Sequence, residues 1–189
     1  IELRLQTPAK WTSHVLAHFD EFLIDHAACE RKASATAVQF VVKYPDRPEL
    51  ANPMLSLARE ELMHFHQVTR MIVSRGLTMK ADEKDPYVNA LLKTSRDGRD
   101  THFIDRLLIF GIIEARGTER FGMIASALPE GSLKKFYTHL TEAEARHHQI
   151  FVDMALTHFK ENEILQRLDY LLDAEAEIVK SIPLRAAVH

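Results

Sequence analysis

The sequence predicts an all-α protein, and three observations support that prediction. Gly and Pro are rare, with six and seven copies in 189 residues. The long stretches between them carry few turn signals. Apolar residues recur within these stretches at spacings of three and four, which is the period of a helix with one buried face. The four longest stretches predict core helices at about 20–43, 53–75, 102–128 and 132–159.

Turn residues separate the helices in order. A helical region opens at Thr7-Pro8 and continues, with a break near Asp20, into the first core helix. The KYPDRPELANP run at 43–53 contains three prolines that must end this helix before the next begins. The second core helix ends at Gly76, and the Pro-Glu-Gly turn at 129–131 separates the third from the fourth. A last amphipathic segment predicts a fifth helix at about 162–180.

The connections between the core helices differ in length. Short turns join the first two and the last two into antiparallel hairpins, whereas residues 77–101 form a long crossover that we expect to hold a short helix near Val88–Lys93. Two hairpins joined by one long crossover are typical of a ferritin-like four-helix bundle. We therefore predict a single ferritin-like domain over residues 1–189, with additional flanking helices.

Composition narrows the class of protein. The formal net charge is −3, and no apolar run approaches the roughly 20 residues of a membrane span. The single cysteine, Cys29, excludes an internal disulfide. We expect a soluble, cytoplasmic protein with no membrane partner.

A carboxylate and an imidazole interrupt the apolar face of two of the predicted helices. Glu61 and His64 lie in the middle of the stripe on the second helix, and Glu144 and His147 do so on the fourth. Both pairs have the order Glu-x-x-His, which places the two side chains on one face. Glu30 and Glu114 occupy the middle of the stripes on the first and third helices.

Four inward carboxylates need a positive charge among them. Burying an uncompensated carboxylate costs roughly several kcal/mol for each ion. Oxygen-rich ligation with one imidazole for each metal suits two iron or manganese ions, and zinc fits less well because structural zinc sites are rich in Cys and His. The stripes therefore predict a dinuclear metal site with these ligands: Glu30, Glu61, His64, Glu114, Glu144 and His147.

Some neighbouring residues have plainer interpretations. One Glu-x-x-His motif alone is usually a solvated contact between side chains three residues apart, so the prediction depends on the repetition. Glu119 competes with Glu114 on the third helix, but its stripe is less apolar, and an arginine partner or a place beside the site explains it. His26 reads as a hydrogen-bonded core histidine or a neighbour of the site, and Cys29 as a packing residue.

The segments PAKWTSHVLAHFDEFLIDHAACERKA, LAREELMHFHQV, IIEARGTERF and LTEAEARHHQIF resemble the tRNA hydroxylase family that acts on 2-methylthio-N6-isopentenyladenosine. The resemblance covers nearly the whole chain. It implies a non-haem di-iron monooxygenase that hydroxylates the isopentenyl group of this nucleoside beside the anticodon. It also implies dioxygen as co-substrate, an external electron donor of the ferredoxin or reductase type, and two iron ions on the six residues given above.

The tRNA partner needs a basic surface, which the net charge does not reveal. Lys93, Arg96 and Arg99 in the crossover are our candidates for contacts with the tRNA anticodon loop, with Lys134 and Lys135 as the next choice. The same run also reads as a solvated loop whose acidic residues cancel its charge. A ferroxidase or peroxidase of the ferritin or rubrerythrin type is the alternative function, and a metal-free helical module is a third.

Overall fold

The computed structural model describes residues 1–189 and is entirely helical, with no β-strand. The α-helices are α1 (Ala9–Ala17), α2 (Phe19–Lys43), α3 (Ala51–Ser74), α4 (Pro86–Leu92), α5 (Arg99–Ala127), α6 (Ser132–Glu144), α7 (His147–His158) and α8 (Glu161–Ser181). A short 3-10 helix, Pro48–Leu50, precedes α3. The predicted all-α class is confirmed. No helix combines the length and the apolar character needed to cross a bilayer.

The chain divides into two compact units. The first, here called the hairpin unit, comprises residues 13–83 and 186–188, and α2 packs along α3 within it. Its buried face carries Leu23, Leu57 and Val68. The Ser34 hydroxyl donates a hydrogen bond of 2.7 Å to the carbonyl of Ala58 and so links the two helices.

The second, here called the larger unit, comprises residues 1–12, 84–185 and 189. Its central element is α5, which packs against α4, α6, α7 and α8. Leu107, Leu108 and Ile109 are consecutive and all fully buried, although consecutive helical residues point about 100° apart. The sequence predicted one buried stripe on this helix. The buried surface of α5 is wider than that stripe because α5 has neighbours on several sides.

Most predicted helix bounds agree with the structure within two residues. The crossover helix α4 begins at Pro86, and Asp85 caps it by accepting hydrogen bonds from the backbone amides of Tyr87 and Val88. Helix α5 begins at Arg99, three residues before the predicted start, because Gly98 adopts a φ of 95° and turns the chain into the helix. Arg99 therefore lies on the first turn of α5 and not in the crossover.

The prediction of one continuous helix at 132–159 was wrong. Ala145 and Arg146 form a turn between α6 and α7, at which the Arg146 amide bonds to the carbonyl of Ala143, three residues back. No Gly or Pro marks this break in the sequence. It falls between Glu144 and His147, and the tighter turn leaves His147 Nδ1 only 2.7 Å from Glu144 Oε2.

Asp85 supplies a test of the crossover helix. Burial alone would raise its pKa, but the ion pair with His189 and the amides of Val88 and Tyr87 outweigh burial and lower the pKa to about 2. We expect Asp85→Ala to lower the free energy of unfolding by about 1 kcal/mol at neutral pH, as loss of a helix cap does. Urea unfolding of both proteins measures the difference.

The pH dependence of that difference has a definite sign. A carboxyl group whose pKa is depressed in the folded state stabilises the fold above its ordinary pKa of 3.8, and this stabilisation is lost as the pH falls towards 2. The gap between wild type and Asp85→Ala should therefore narrow as the pH falls below about 4. Asp97→Ala, which removes an exposed carboxylate, serves as the control. A gap that widens on acidification contradicts the assignment.

Candidate metal centre

The hairpin unit brings Glu30 of α2 together with Glu61 and His64 of α3. All three are buried, with at most 4% of each residue exposed. One potential ligand atom of each lies within 4.8 Å of the others. His64 Nδ1 is 3.7 Å from Glu30 Oε2 and 3.8 Å from Glu61 Oε2. We call these three residues the hairpin set.

His26 stands beside the hairpin set. Its Nε2 lies 2.6 Å from Glu30 Oε1, and the residue is fully buried. The two side chains are one turn apart on α2, so the helix itself holds them in contact. An imidazole that hydrogen-bonds a ligand carboxylate fixes the direction in which the remaining oxygen points. The sequence left open whether His26 is a core histidine or a neighbour of the candidate site. It is both, since it is buried and contacts Glu30.

The larger unit brings together the three remaining predicted residues. Potential ligand atoms of Glu114, Glu144 and His147 lie within 4.8 Å of one another. Glu144 and His147 are each 2% exposed, and Glu114 is half-buried. These residues, here called the larger-unit set, come from α5, α6 and the first residue of α7.

Close approach of α5 and α7 positions the larger-unit set. Gly111 lies one turn before Glu114, and a Cβ at this position would be 3.3 Å from the carbonyl oxygen of His148 and 3.4 Å from Phe151 Cβ. A side chain there would push α7 away from α5. The Phe151 ring packs beside that of Phe110, with 6.2 Å between the ring centroids. Both aromatic residues are buried. Each lies one helical turn from a residue of the set, Phe110 before Glu114 and Phe151 after His147.

Both sets fit a divalent metal by the chemistry of their donors. Glu30 and Glu61 are two buried carboxylates of like charge, and Glu114 and Glu144 are a second close pair. Like charges at this separation repel strongly away from water, and a bound cation reverses that repulsion. Each set offers two carboxylates and one imidazole, which suits iron or manganese better than a structural zinc.

Glu119 is engaged elsewhere. Its carboxylate accepts hydrogen bonds from the backbone amide of Thr7 at 2.8 Å and from the Thr7 hydroxyl at 2.7 Å, and it pairs with Arg116. Its potential ligand atoms belong to neither set. Glu114 lies with the larger-unit set, whereas Glu119 has the arginine partner that the sequence analysis offered as one explanation for it.

Arg116 is the most important buried residue that the sequence reasoning missed. It is fully buried, and each of its five N–H groups donates a hydrogen bond. Two go to the Glu175 carboxylate, at 2.9 and 3.0 Å. The others go to Leu5 O, the Thr7 hydroxyl and Glu119. Arg116 thereby fastens α5, which carries Glu114, to α8 and to the first residues of the chain.

The surroundings keep this network charged. Burial alone would lower the pKa of Arg116, but the groups around it, with the Glu175 carboxylate first among them, together outweigh burial and raise the pKa above its usual value. The Tyr87 hydroxyl donates to Glu175 at 3.0 Å, and burial followed by the Glu175 charge raises the pKa of Tyr87 well above 10. Tyr87 thus stays a neutral hydrogen-bond donor. The only sequence signal for the network was the pair of arginines in the segment EARGTER.

The three basic residues predicted to contact RNA have different environments. Lys93 and Arg99 are exposed, but Arg96 is tied to Asp105, with Arg96 Nη2 2.8 Å from Asp105 Oδ1. Arg167 also donates to Asp105, which is fully buried. Burial alone would raise the pKa of Asp105, but these arginines lower it. Arg96 therefore has a structural partner that the sequence did not reveal.

Comparison with known proteins gives one family and several relatives. Residues 2–189 match the family described as tRNA-(MS[2]IO[6]A)-hydroxylase (MiaE). A Pseudomonas putida protein named tRNA 2-(methylsulfanyl)-N(6)-isopentenyladenosine(37) hydroxylase is 35% identical over 175 residues, covering 93% of this chain and 85% of the relative. A Salmonella typhimurium protein of the same name is 28% identical over 228 residues, covering 95% and 84%.

A solved structure extends the comparison to the fold. The structure titled "Protein 43 with aldehyde deformylating oxygenase activity from Synechococcus" has a TM-score of 0.92 and 35% sequence identity, and the match covers 98% of this chain and 93% of that chain. The predicted ferritin-like fold class is confirmed by this neighbour.

Glu175 provides a test of the buried network. Removing its carboxylate leaves the Arg116 charge buried, and breaking a buried pair in this way costs about 3–5 kcal/mol. We therefore expect Glu175→Ala to lower the free energy of unfolding by that amount in urea titrations. Glu177→Ala is the matched control, because the Glu177–Lys180 pair lies on the same helix and is exposed. It should cost less than about 1 kcal/mol. Equal losses would contradict a special role for Arg116.

Proposed function

Because the chain belongs to the tRNA-(MS[2]IO[6]A)-hydroxylase (MiaE) family, we propose that it hydroxylates the isopentenyl group of 2-methylthio-N6-isopentenyladenosine beside the anticodon of tRNA. The match of nearly the whole chain to this family is the observation that carries the proposal. Both curated relatives bear names for the same reaction. A tRNA substrate would place the protein in the cytoplasm.

We further propose that the protein holds two iron ions, with the residues of the hairpin set and of the larger-unit set as their ligands. The donors within each unit support this. Each set supplies two carboxylates and one imidazole, and within each set these donors lie within 4.8 Å of one another. The symmetry of the sequence supports it too, since Glu-x-x-His occurs once in each set. This ligand pattern is the one used by ferritin-like di-iron proteins.

The chemistry divides between the metal and the protein. Two bound iron ions would supply the redox chemistry by which one atom of dioxygen enters the C–H bond and the other leaves as water, with two electrons from an external donor of the ferredoxin or reductase type. The protein residues hold the proposed metal ligands in position and shield them from water. His26 orients Glu30 through its 2.6 Å contact, and Gly111 allows α7 to approach α5. Phe110 and Phe151 keep water from the carboxylates of the larger-unit set.

Two exposed side chains remain the proposed contacts with the anticodon loop. Lys93 follows α4 and Arg99 opens α5, so both flank the crossover in the larger unit. Arg96 joins the proposed surface only through the part of its side chain not engaged with Asp105. A nucleotide of the anticodon loop is already partly unstacked, so presenting it to an enzyme costs little.

The Synechococcus neighbour suggests a second activity to examine. Its title names an aldehyde deformylating oxygenase, which is also oxygen chemistry. We give tRNA hydroxylation precedence because the family and both curated relatives carry that name. Nothing in these comparisons favours the ferroxidase or peroxidase alternative. Incubation with an aldehyde and measurement of formate distinguishes deformylation from hydroxylation of tRNA nucleosides.

The choice between Glu114 and Glu119 gives a direct test of the proposed centre. Iron-loaded protein is incubated with tRNA bearing the isopentenyl nucleoside, a reductant and dioxygen, and the digested nucleosides are analysed by mass. We expect wild type to add one oxygen atom and to contain about two iron ions, as two-metal sites do. Glu114→Ala should lose iron and activity, because one carboxylate of its set is gone.

Glu119→Ala is the control for this test. Its carboxylate contacts Thr7 and Arg116, so the iron content should be that of wild type even if stability falls. Loss of iron in Glu119→Ala together with retention in Glu114→Ala would refute the ligand assignment. Wild type that binds iron and leaves the nucleoside unchanged would refute the proposed reaction.

The crossover surface gives a second test. We expect Lys93→Ala/Arg99→Ala to weaken tRNA binding and to flatten the log–log dependence of affinity on salt by roughly 1.5, since each phosphate contact contributes about 0.7–0.9. Arg96 is left intact because its loss would remove one of the two arginines that pair with the buried Asp105 carboxylate. Fluorescence anisotropy at several salt concentrations measures both quantities.

A variant of equal charge controls for non-specific electrostatics. Lys80→Ala/Lys84→Ala also removes two exposed cations and should leave the salt slope close to that of wild type. If the two double variants behave alike, the contact surface lies elsewhere. Lys134 and Lys135 at the start of α6 would be the next positions to replace.

A further inference from the structure

A cavity in the larger unit is lined by basic side chains from distant parts of the sequence. Its volume is about 330 Å³. The charged lining comprises Lys10, Arg120, Lys180 and Arg185, and His189 adds an imidazole. No Asp or Glu lines it. A concave surface with cations of one sign and no carboxylate raises the local concentration of anions.

Arg185 points to a ligand most directly. Its Nη1 is buried, and no hydrogen-bond acceptor in the protein reaches it. A buried guanidinium N–H without an acceptor is costly, and a ligand oxygen in the cavity would satisfy it. A guanidinium is also the group best matched to the oxygens of a phosphate.

Arg120 supplies a second charge on the cavity wall. It is 8% exposed, donates from Nε to the Thr7 hydroxyl at 3.2 Å, and stands over the Trp11 ring with 5.0 Å between the guanidinium and the ring centroid. The hydroxyl and the ring position this cation on the cavity wall. Burial, and then the positive charge of Arg116, outweigh the effect of Tyr87 and lower the pKa of Arg120 to about 10. The group still carries its charge at neutral pH, and an anion nearby would stabilise it.

The other two cations have different environments. Lys10 is exposed on the first turn of α1. Lys180 already pairs with Glu177 at 2.7 Å and sits in the last turn of α8, where a positive side chain offsets the helix dipole. We therefore assign Lys180 its ordinary helix-end role and do not count it as a ligand.

We propose that this cavity binds a phosphate group through Arg185 and Arg120, with Lys10 at its rim, and that a phosphate of the substrate tRNA occupies it. The assignment to RNA rests on the proposed function. The phosphate chemistry itself rests on the side chains alone. None of these residues is among the six proposed metal ligands.

The position of the cavity on α5 bears on which phosphate is held. Arg120 follows Glu114 by six residues, which is about 9 Å along a helix axis and some 240° around it. The two side chains thus leave α5 in different directions. The phosphate bound beside Arg120 would belong to a nucleotide other than the one that is hydroxylated. The cavity would then set the position of the RNA relative to α5 and take no part in the reaction.

The test compares Arg185→Gln with Lys160→Gln in the full chain. Both remove one positive charge from the larger unit, and Lys160 lies outside the cavity at the opposite end of α8. Loss of a charge-assisted hydrogen bond to phosphate should weaken tRNA binding roughly tenfold. It should also flatten the salt slope by about 0.7–0.9. Lys10→Gln, on an exposed side chain, should flatten the slope too and provides the measurement if Arg185→Gln fails to fold.

Inorganic phosphate is the second probe, and its binding is measured from the line width of the phosphorus NMR signal. Wild type and Lys160→Gln should broaden the phosphate signal, and Arg185→Gln should not. If Arg185→Gln equals Lys160→Gln with both probes, the proposal is overturned. If phosphate binding is lost but tRNA affinity is unchanged, the assignment to RNA is overturned. Failure of wild type to hydroxylate tRNA refutes the proposed function, and the phosphate measurement still decides whether the cavity is an anion site.

Discussion

A carboxylate on the buried face of a helix requires a positive charge beside it, and this requirement organises both units of the protein. Glu175 meets it with the guanidinium of Arg116. Asp105 meets it with Arg96 and Arg167. Glu30, Glu61 and Glu144 lie instead beside imidazoles, in groups whose donors suit a metal ion. The first two arrangements stabilise the fold, and the third is the proposed metal centre. The difference lies in the partner, since all these carboxylates are similarly buried.

The candidate site was readable from the sequence because its signal is local. Glu61 with His64, and Glu144 with His147, are three residues apart, and each pair interrupts an apolar stripe. The period of a helix is enough to bring such residues to one face. Most helices could be predicted because their signals are also local: prolines and glycines mark where they end.

The features that the sequence did not reveal depend on distant partners or on small distortions. Arg116 and Glu175 are separated by 59 positions, and nothing in either segment names the other. The sequence predicted Arg96 as a contact with RNA and did not reveal its pairing with Asp105, which lies beyond the turn into α5. The break at Ala145 and Arg146 contains no residue that disfavours a helix, so propensity could not predict it. It matters nonetheless, because His147 is closer to Glu144 across the break than His64 is to Glu61 on unbroken α3.

The five hydrogen bonds of Arg116 limit how this position can evolve. A lysine would keep the charge but has three donors on one nitrogen and cannot hold Glu175 with two parallel bonds. A neutral residue would strand Glu175 and Glu119 at once. A change that preserves the fold must therefore replace several residues together, including one on α8 and one near the start of the chain. Single substitutions of Arg116 are therefore not tolerated. Sequences descended from this one should keep the arginine even where they alter the residues that contact RNA.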